Sequence, residues 1–212
     1  MIDLYTWGTP NGRKVSIMLE EIGLPYAVHT VNIGREEQFD PKFLAISPNN
    51  KIPAIVDPDG PGGPLSLFES GAILSYLAEK TGRFLAPTGA ARYKALEWLY
   101  WQVGGLGPMF GQLGFFAVRS TEKAPLAIQR FTEEAERLLG VMELRLSEAA
   151  YLSGDDYSIA DIACYPWALA ATTYLAPALG EVVKEKPEFQ RWLKSVGARP
   201  AVQRGMAIPK TQ

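Results

Sequence analysis

The spacing of apolar and polar positions changes character once along this chain. Up to about residue 86, strand-like and helix-like stretches alternate. Ile2-Asp3-Leu4-Tyr5 alternates as a half-buried strand does. Thr9-Pro10 has the form of a helix cap with proline in the first turn, and Val15, Met18, Leu19 and Ile22 then fall on one helical face. Gly23 ends that helix, with Pro25 just beyond. Further strands are predicted at residues 26–33, Ile52–Val56 and Leu65–Phe68, the last two joined as a hairpin by the Pro/Gly-rich residues 58–64. A helix presenting Ile73, Tyr76 and Leu77 on one face follows and stops at Gly82. From Pro87 onward strand signals vanish. Residues 90–116 form a long apolar, aromatic stretch, and in the next segment Ile128, Phe131, Ala135, Leu138, Leu139 and Met142 keep helical phase. Ser158-Ile159-Ala160-Asp161 matches a capping box, and residues 187–197 and 199–206 read as shorter closing helices. The expectation is a small α/β layer at 1–86 and an all-helical domain at 87–212.

Composition narrows the chemistry. The chain has 212 residues with 21 basic and 23 acidic side chains, so its charge gives no support for a nucleic-acid or anionic-membrane partner. No apolar run is long enough to predict a spanning helix, and no signal sequence is evident at the start. The single cysteine, Cys164, excludes an intrachain disulfide and a Cys-x-x-Cys pair; the single histidine, His29, removes paired-His zinc motifs, so no metal is expected. A mildly acidic chain without disulfides reads as cytoplasmic. A protein with so few reactive side chains is expected to borrow its reactive group from a ligand.

Three junctions can carry chemistry. Thr9-Pro10-Asn11-Gly12 lies at a helix start, where free N–H groups and the dipole favour an anion and lower thiol pKa values; the other reading is that Thr9 or Asn11 only caps the helix. Asn50-Lys51-Ile52-Pro53 enters a strand. Its extended Ile52 before Pro53, with a cis bond allowed, can pair with a ligand backbone, or the proline can simply mark an edge strand. Glu69-Ser70-Gly71 joins the last strand to its helix. Glu69 can accept an ammonium and the helix start can hold a carboxylate, or Ser70 can act as an ordinary N-cap. Together these junctions suit a thiol peptide with a zwitterionic end. Tyr5, Ser16, His29 and Cys164 are expected to be structural.

These segments resemble the cytosolic glutathione transferases. Residues 47–54 (SPNNKIPA) and 67–73 (LFESGAI) are similar to the family's glutathione-site segments, and 158–163 (SIADIA) to its helical capping motif. Thr9-Pro10-Asn11-Gly12 and residues 101–109 (WQVGGLGPM) point to the bacterial Nu class, related to the yeast nitrogen-regulator-like transferases. The resemblance implies a thioredoxin-like N-terminal domain, a helical C-terminal domain that supplies the second-substrate pocket and dimer contacts, a cis Ile52-Pro53 bond and a homodimer. It implies that Thr9 hydrogen-bonds the glutathione sulfur beside Asn11, that Gln38, Lys51, Ile52 and Pro53 hold the peptide backbone, and that Glu69 and Ser70 hold the γ-glutamyl end. Arg130 resembles an arginine donated across the dimer interface; read alone, it is a solvated helix charge. The implied activity is glutathione-dependent disulfide reduction, with a non-catalytic glutathione-binding or regulatory protein as the alternative. Residues 113–119 (LGFFAVR) are more apolar than the family's His-rich version, which leaves the acceptor open.

Overall fold

The first strand, β1 (Ile2–Thr6), buries Ile2, Leu4 and Thr6 and leaves Asp3 and Tyr5 on its other, half-buried face, as alternation requires. Thr9 caps α1 (Pro10–Ile22): its hydroxyl oxygen accepts the Gly12 N–H at 3.2 Å, and Gly23 closes the helix in the left-handed conformation. Strand β2 (Tyr26–Thr30) runs parallel to β1, with Tyr5 opposite His29. This strand is shorter than the expected 26–33, because the Asn32 side chain caps a tight turn at Ile33–Arg35 by accepting the Gly34 N–H. A second such turn (Glu37–Phe39) and a short helix, α2 (Pro41–Leu44), lead to cis Ile52-Pro53.

Strand β3 (Ala54–Asp57) pairs antiparallel with β1 and with β4 (Leu65–Phe68), giving one four-stranded sheet in the order β2-β1-β3-β4. Proline lacks the N–H a ladder needs, so β3 opens after Pro53 and not at Ile52. Val31, Phe43 and Ala54 form a buried cluster on which Tyr5, Ile52 and Phe68 pack. Helix α3 (Ser70–Thr81) follows β4 and ends at left-handed Gly82. Ser70 is not its cap, contrary to expectation: Glu69 holds that position at φ 69°, and Ser70 is the first helical residue.

Phe84–Ala198 forms a separate helical unit. Helix α4 (Gly89–Trp101) is continued by a π turn at Gln102–Leu106, α5 (Gly107–Leu113) and a second π turn at Gly114–Arg119. This long apolar stretch widens into the first π turn just before Pro108, which has no N–H to return to the preceding turn. Helices α6 (Pro125–Glu148), α7 (Ile159–Ala171), α8 (Ala176–Lys184) and α9 (Pro187–Gly197) complete it. At α7 the capping box is present. Ser158 Oγ accepts the Ala160 N–H, Asp161 Oδ2 accepts the Ser158 N–H at 3.0 Å, and Asp161 Oδ1 takes the Leu152 N–H and Trp192 Nε1–H.

The last helix, α10 (Pro200–Met206), belongs with the first unit, which comprises Met1–Arg83 and the described residues from Arg199 on. The expected domains, 1–86 and 87–212, therefore differ from the observed division in two ways. The break moves to Arg83, and α10 leaves the helical part because Ser16 Oγ donates to Gly205 O at 2.7 Å and Arg199 binds Glu21 in a double hydrogen bond. The computed structural model describes residues 1–210. Among them no helix is long and apolar enough to cross a membrane.

Candidate functional site

A pocket of about 140 Å³ opens in the first unit, lined by Asn11, Lys51, Ile52, Pro53, Phe68, Glu69 and Ser70. Three chain junctions meet there. Asn11 comes from the first turn of α1, Lys51 to Pro53 from the entry to β3, and Phe68 to Ser70 from the passage of β4 into α3. Two helix N-termini therefore contribute residues to one cavity, a favourable setting for anionic groups.

Each junction is fixed locally. Ser47, fully buried, donates through Oγ to Lys51 O at 2.8 Å, which secures the loop before the cis bond. Asn50 adopts φ 50°, a left-handed conformation that asparagine tolerates better than most residues. Ile52 packs on the Phe43 cluster beside Phe68. Glu69, at φ 69° and ψ 110°, is the residue where the backbone leaves the sheet and starts α3. This conformation is costly for a side chain with a Cβ.

Thr9 is not among the pocket-lining residues; it stands at the head of α1, half-buried, just before Asn11. Its role as a cap and a role towards a thiolate are compatible. The oxygen accepts from Gly12 N–H, while the hydroxyl proton remains available for donation to a neighbour. Gln38 lies on the Glu37–Phe39 turn, outside the lining, and its Oε1 is buried without a hydrogen-bond partner. Arg130 is exposed on α6 in the other unit, near enough to Glu134 to help lower that carboxyl's pKa, although the hydrogen bond from Arg137 contributes most.

Two pocket neighbours were not singled out from the sequence. Phe68 supplies the apolar wall, and its signal was only that of the last residue of a strand. Lys14, on α1, is 1 % exposed and donates from Nζ to Ser70 Oγ at 3.2 Å. Among the residues read as structural, Ser16 is buried and bonded to α10, and Cys164 is buried within α7. His29 stacks on Tyr5 with ring centres 4.7 Å apart and contacts Asp3 Oδ1 at 2.7 Å. Burial, followed by the charge of Asp3, pushes the Tyr5 phenol up from its ordinary value, so Tyr5 stays protonated at neutral pH. No group of three or more His, Cys, Asp or Glu side chains among the described residues is placed to hold a metal ion.

A sheet with one parallel and two antiparallel pairings, helices at its strand ends and a following helical unit is the architecture of the glutathione transferases. The model of the glutathione S-transferase N-terminal domain matches residues 9–80, and that of the C-terminal domain matches residues 106–200. The chain belongs to the glutathione S-transferase family. It is 49% identical over 214 residues to the disulfide-bond oxidoreductase YfcG of Escherichia coli, covering 100% of this chain and 96% of that protein. A glutathione transferase family member from Pseudomonas fluorescens, solved with two glutathione bound, superposes with a TM-score of 0.94 at 50% identity, covering 98% of this chain and 93% of that one. A glutathione transferase from Pseudomonas putida, solved with one glutathione disulfide bound per subunit, gives 0.92 at 48% identity, with 98% and 91% covered.

Proposed function

We propose that this protein is a glutathione-dependent disulfide-bond reductase of the Nu class, acting as a cytoplasmic homodimer. The observation that carries the reading is the convergence of Asn11, Lys51, Ile52, Glu69 and Ser70 on one pocket. Glu69 offers a carboxylate for the γ-glutamyl ammonium, and Ser70 with the start of α3 offers donors for its carboxylate. The backbone N–H and C=O of Ile52 pair with the cysteinyl segment, as an added strand would. Pro53, cis to Ile52, and the Phe68 ring form the apolar wall. Lys51 and Gln38 help hold the peptide backbone. Arg130 reaches the glutathione of the partner subunit.

Thr9 donates its hydroxyl proton to the glutathione sulfur beside Asn11. That hydrogen bond and the α1 dipole favour the thiolate over the thiol. The thiolate attacks one sulfur of a disulfide, forming a mixed disulfide and expelling the other sulfur as a thiolate. A second glutathione thiolate then attacks the glutathione sulfur of the mixed disulfide, so that glutathione disulfide forms and the second substrate thiolate leaves. Two glutathiones are oxidised, one disulfide is reduced, and no protein sulfur takes part. The names of the relatives described above, YfcG and the two Pseudomonas proteins, support this reading.

The test is the glutathione-dependent reduction of bis(2-hydroxyethyl) disulfide, followed as glutathione disulfide formed. Wild-type protein is expected to exceed the uncatalysed rate well. Thr9→Ala is expected to lose about tenfold in kcat/KM, the scale of one hydrogen bond to a charged group. A wild-type rate equal to the background overturns the reductase reading and leaves a binding protein; an unchanged Thr9→Ala rate overturns the role of Thr9.

A further inference from the structure

Lys14 is a lysine in an unusual place. Its side chain lies inside the first unit at 1 % exposure, and its ammonium donates to Ser70 Oγ at 3.2 Å. Lysine is seldom buried, because an ammonium taken from water must recover its lost hydration from the groups around it. An apolar residue of similar length could fill the same space between α1 and α3 without that demand.

The hydrogen bond has a direction, and the direction carries the inference. An ammonium can only donate, so Ser70 Oγ must be the acceptor. The hydroxyl proton of Ser70 is then left to point elsewhere, and Ser70 lines the pocket. A hydroxyl that accepts from a cation is polarised into a better donor. Asn11, which also lines the pocket, precedes Lys14 by three residues and so shares its face of α1. The buried charge thus sits one helical turn behind the pocket wall and bonds to the hydroxyl of a serine that lines the pocket.

The geometry points to Lys14 as a positioning residue for carboxylate recognition: it fixes Ser70 as a hydrogen-bond donor and places a positive charge behind the γ-glutamyl carboxylate. This rests on the glutathione reading of the pocket and adds to it a residue that need not touch the ligand.

The test is binding of two probes by calorimetry, glutathione and its analogue lacking the α-carboxylate of the γ-glutamyl group (4-aminobutyryl-cysteinylglycine). Wild-type protein is expected to prefer glutathione. Lys14→Met is expected to weaken glutathione by about tenfold, the scale of one charge-assisted hydrogen bond, and to leave the analogue unchanged. A Lys14→Met protein that weakens both probes equally, or neither, overturns the assignment while leaving the glutathione site standing. Wild-type protein that binds no glutathione, or binds both probes alike, overturns the reading of the pocket and the role of Lys14 with it.

Ser70→Ala removes the other partner of the same bond, and with it an acceptor of the buried ammonium, and decides the matter if Lys14→Met does not fold. It is expected to weaken glutathione alone. An unchanged preference for glutathione in Ser70→Ala overturns the relay. Where both variants fold, the double variant is expected to lose less than the two single losses combined, because the two residues act through one bond. Losses that simply add overturn it.

Discussion

At the residue scale, Glu69 joins backbone strain to recognition. Its φ of 69° with ψ 110° lies where glycine is at ease and other residues are not. Conformations of this kind cost roughly 1–3 kcal/mol and persist where the surroundings over-determine them. Here β4 pairs with β3 up to Phe68 and α3 begins at Ser70, so one residue must make the whole turn. Glycine would make it more cheaply but would bring no carboxylate. Glu69→Gly is therefore expected to gain about 1 kcal/mol of stability in denaturant unfolding while glutathione affinity falls at least tenfold. Glu69→Gln keeps the strain and should lose affinity with no gain in stability. Equal stabilities for the two variants would show that the strain at this turn is not felt.

At the scale of elements, the β3–β4 hairpin is tied to α3 through one carboxylate. Asp57 Oδ2 accepts from Tyr76 Oη at 2.6 Å and meets Lys80 Nζ at 2.9 Å, while its Oδ1 accepts the Asp59 N–H. Burial alone would raise the Asp57 pKa; the hydrogen bonds from Tyr76, Lys80 and Asp59 outweigh it and hold the carboxyl below its ordinary value. A carboxyl with a depressed folded-state pKa stabilises the fold above its unfolded-state pKa, and that contribution disappears as the pH falls through the folded-state value. Unfolding midpoints measured from about pH 5 to about pH 2 should therefore decline, and Asp57→Asn should flatten part of the decline. A parallel decline in the variant would assign the acid sensitivity to other carboxylates.

The same scale shows what a sequence can announce. Helix α1 was legible from end to end, because its cap at Thr9, its Pro10 and its stop at Gly23 are local chemistry. So were α9 and the capping box at α7. Helix α8 is not among the elements the sequence predicts, although its buried Leu179 and Val183 stand four apart. The local sequence favours Ser70 as the cap of α3 because serine is the commoner cap, whereas the strain at Glu69 is set by the sheet and leaves no mark in the local sequence. Most of the pocket was legible as three junctions. Lys14 was not, since a lysine on an amphipathic helix reads as a solvated charge until its burial is seen.

At the scale of the whole molecule, chain order and unit membership part company. Helix α10 follows the helical unit in sequence yet packs with α1. Nothing in its short apolar face of Ala201, Val202 and Gly205 specifies which element it covers, so the sequence placed it with its neighbours in the chain. The contacts are specific. The Cα of Gly205 comes so near α1 that a Cβ there would lie 2.5 Å from Ile17 Cα, which reserves the position for glycine. Arg199 neutralises the buried Glu21 and Arg204 pairs with Glu20. A chain ending at Ala198 would uncover Ile17, leave the Ser16 hydroxyl without its bond to Gly205 and strand Glu21 without its cation. Lost apolar burial and an uncompensated carboxylate together are worth roughly 4 kcal/mol, a large share of a typical folding margin. The truncated protein is expected to unfold at clearly lower urea concentration than the full chain, and to lose glutathione binding in the same transition, because α1 and its cap carry Asn11, Lys14 and Thr9. An unchanged midpoint for residues 1–198 would mean that α10 contributes no stability to the unit it covers.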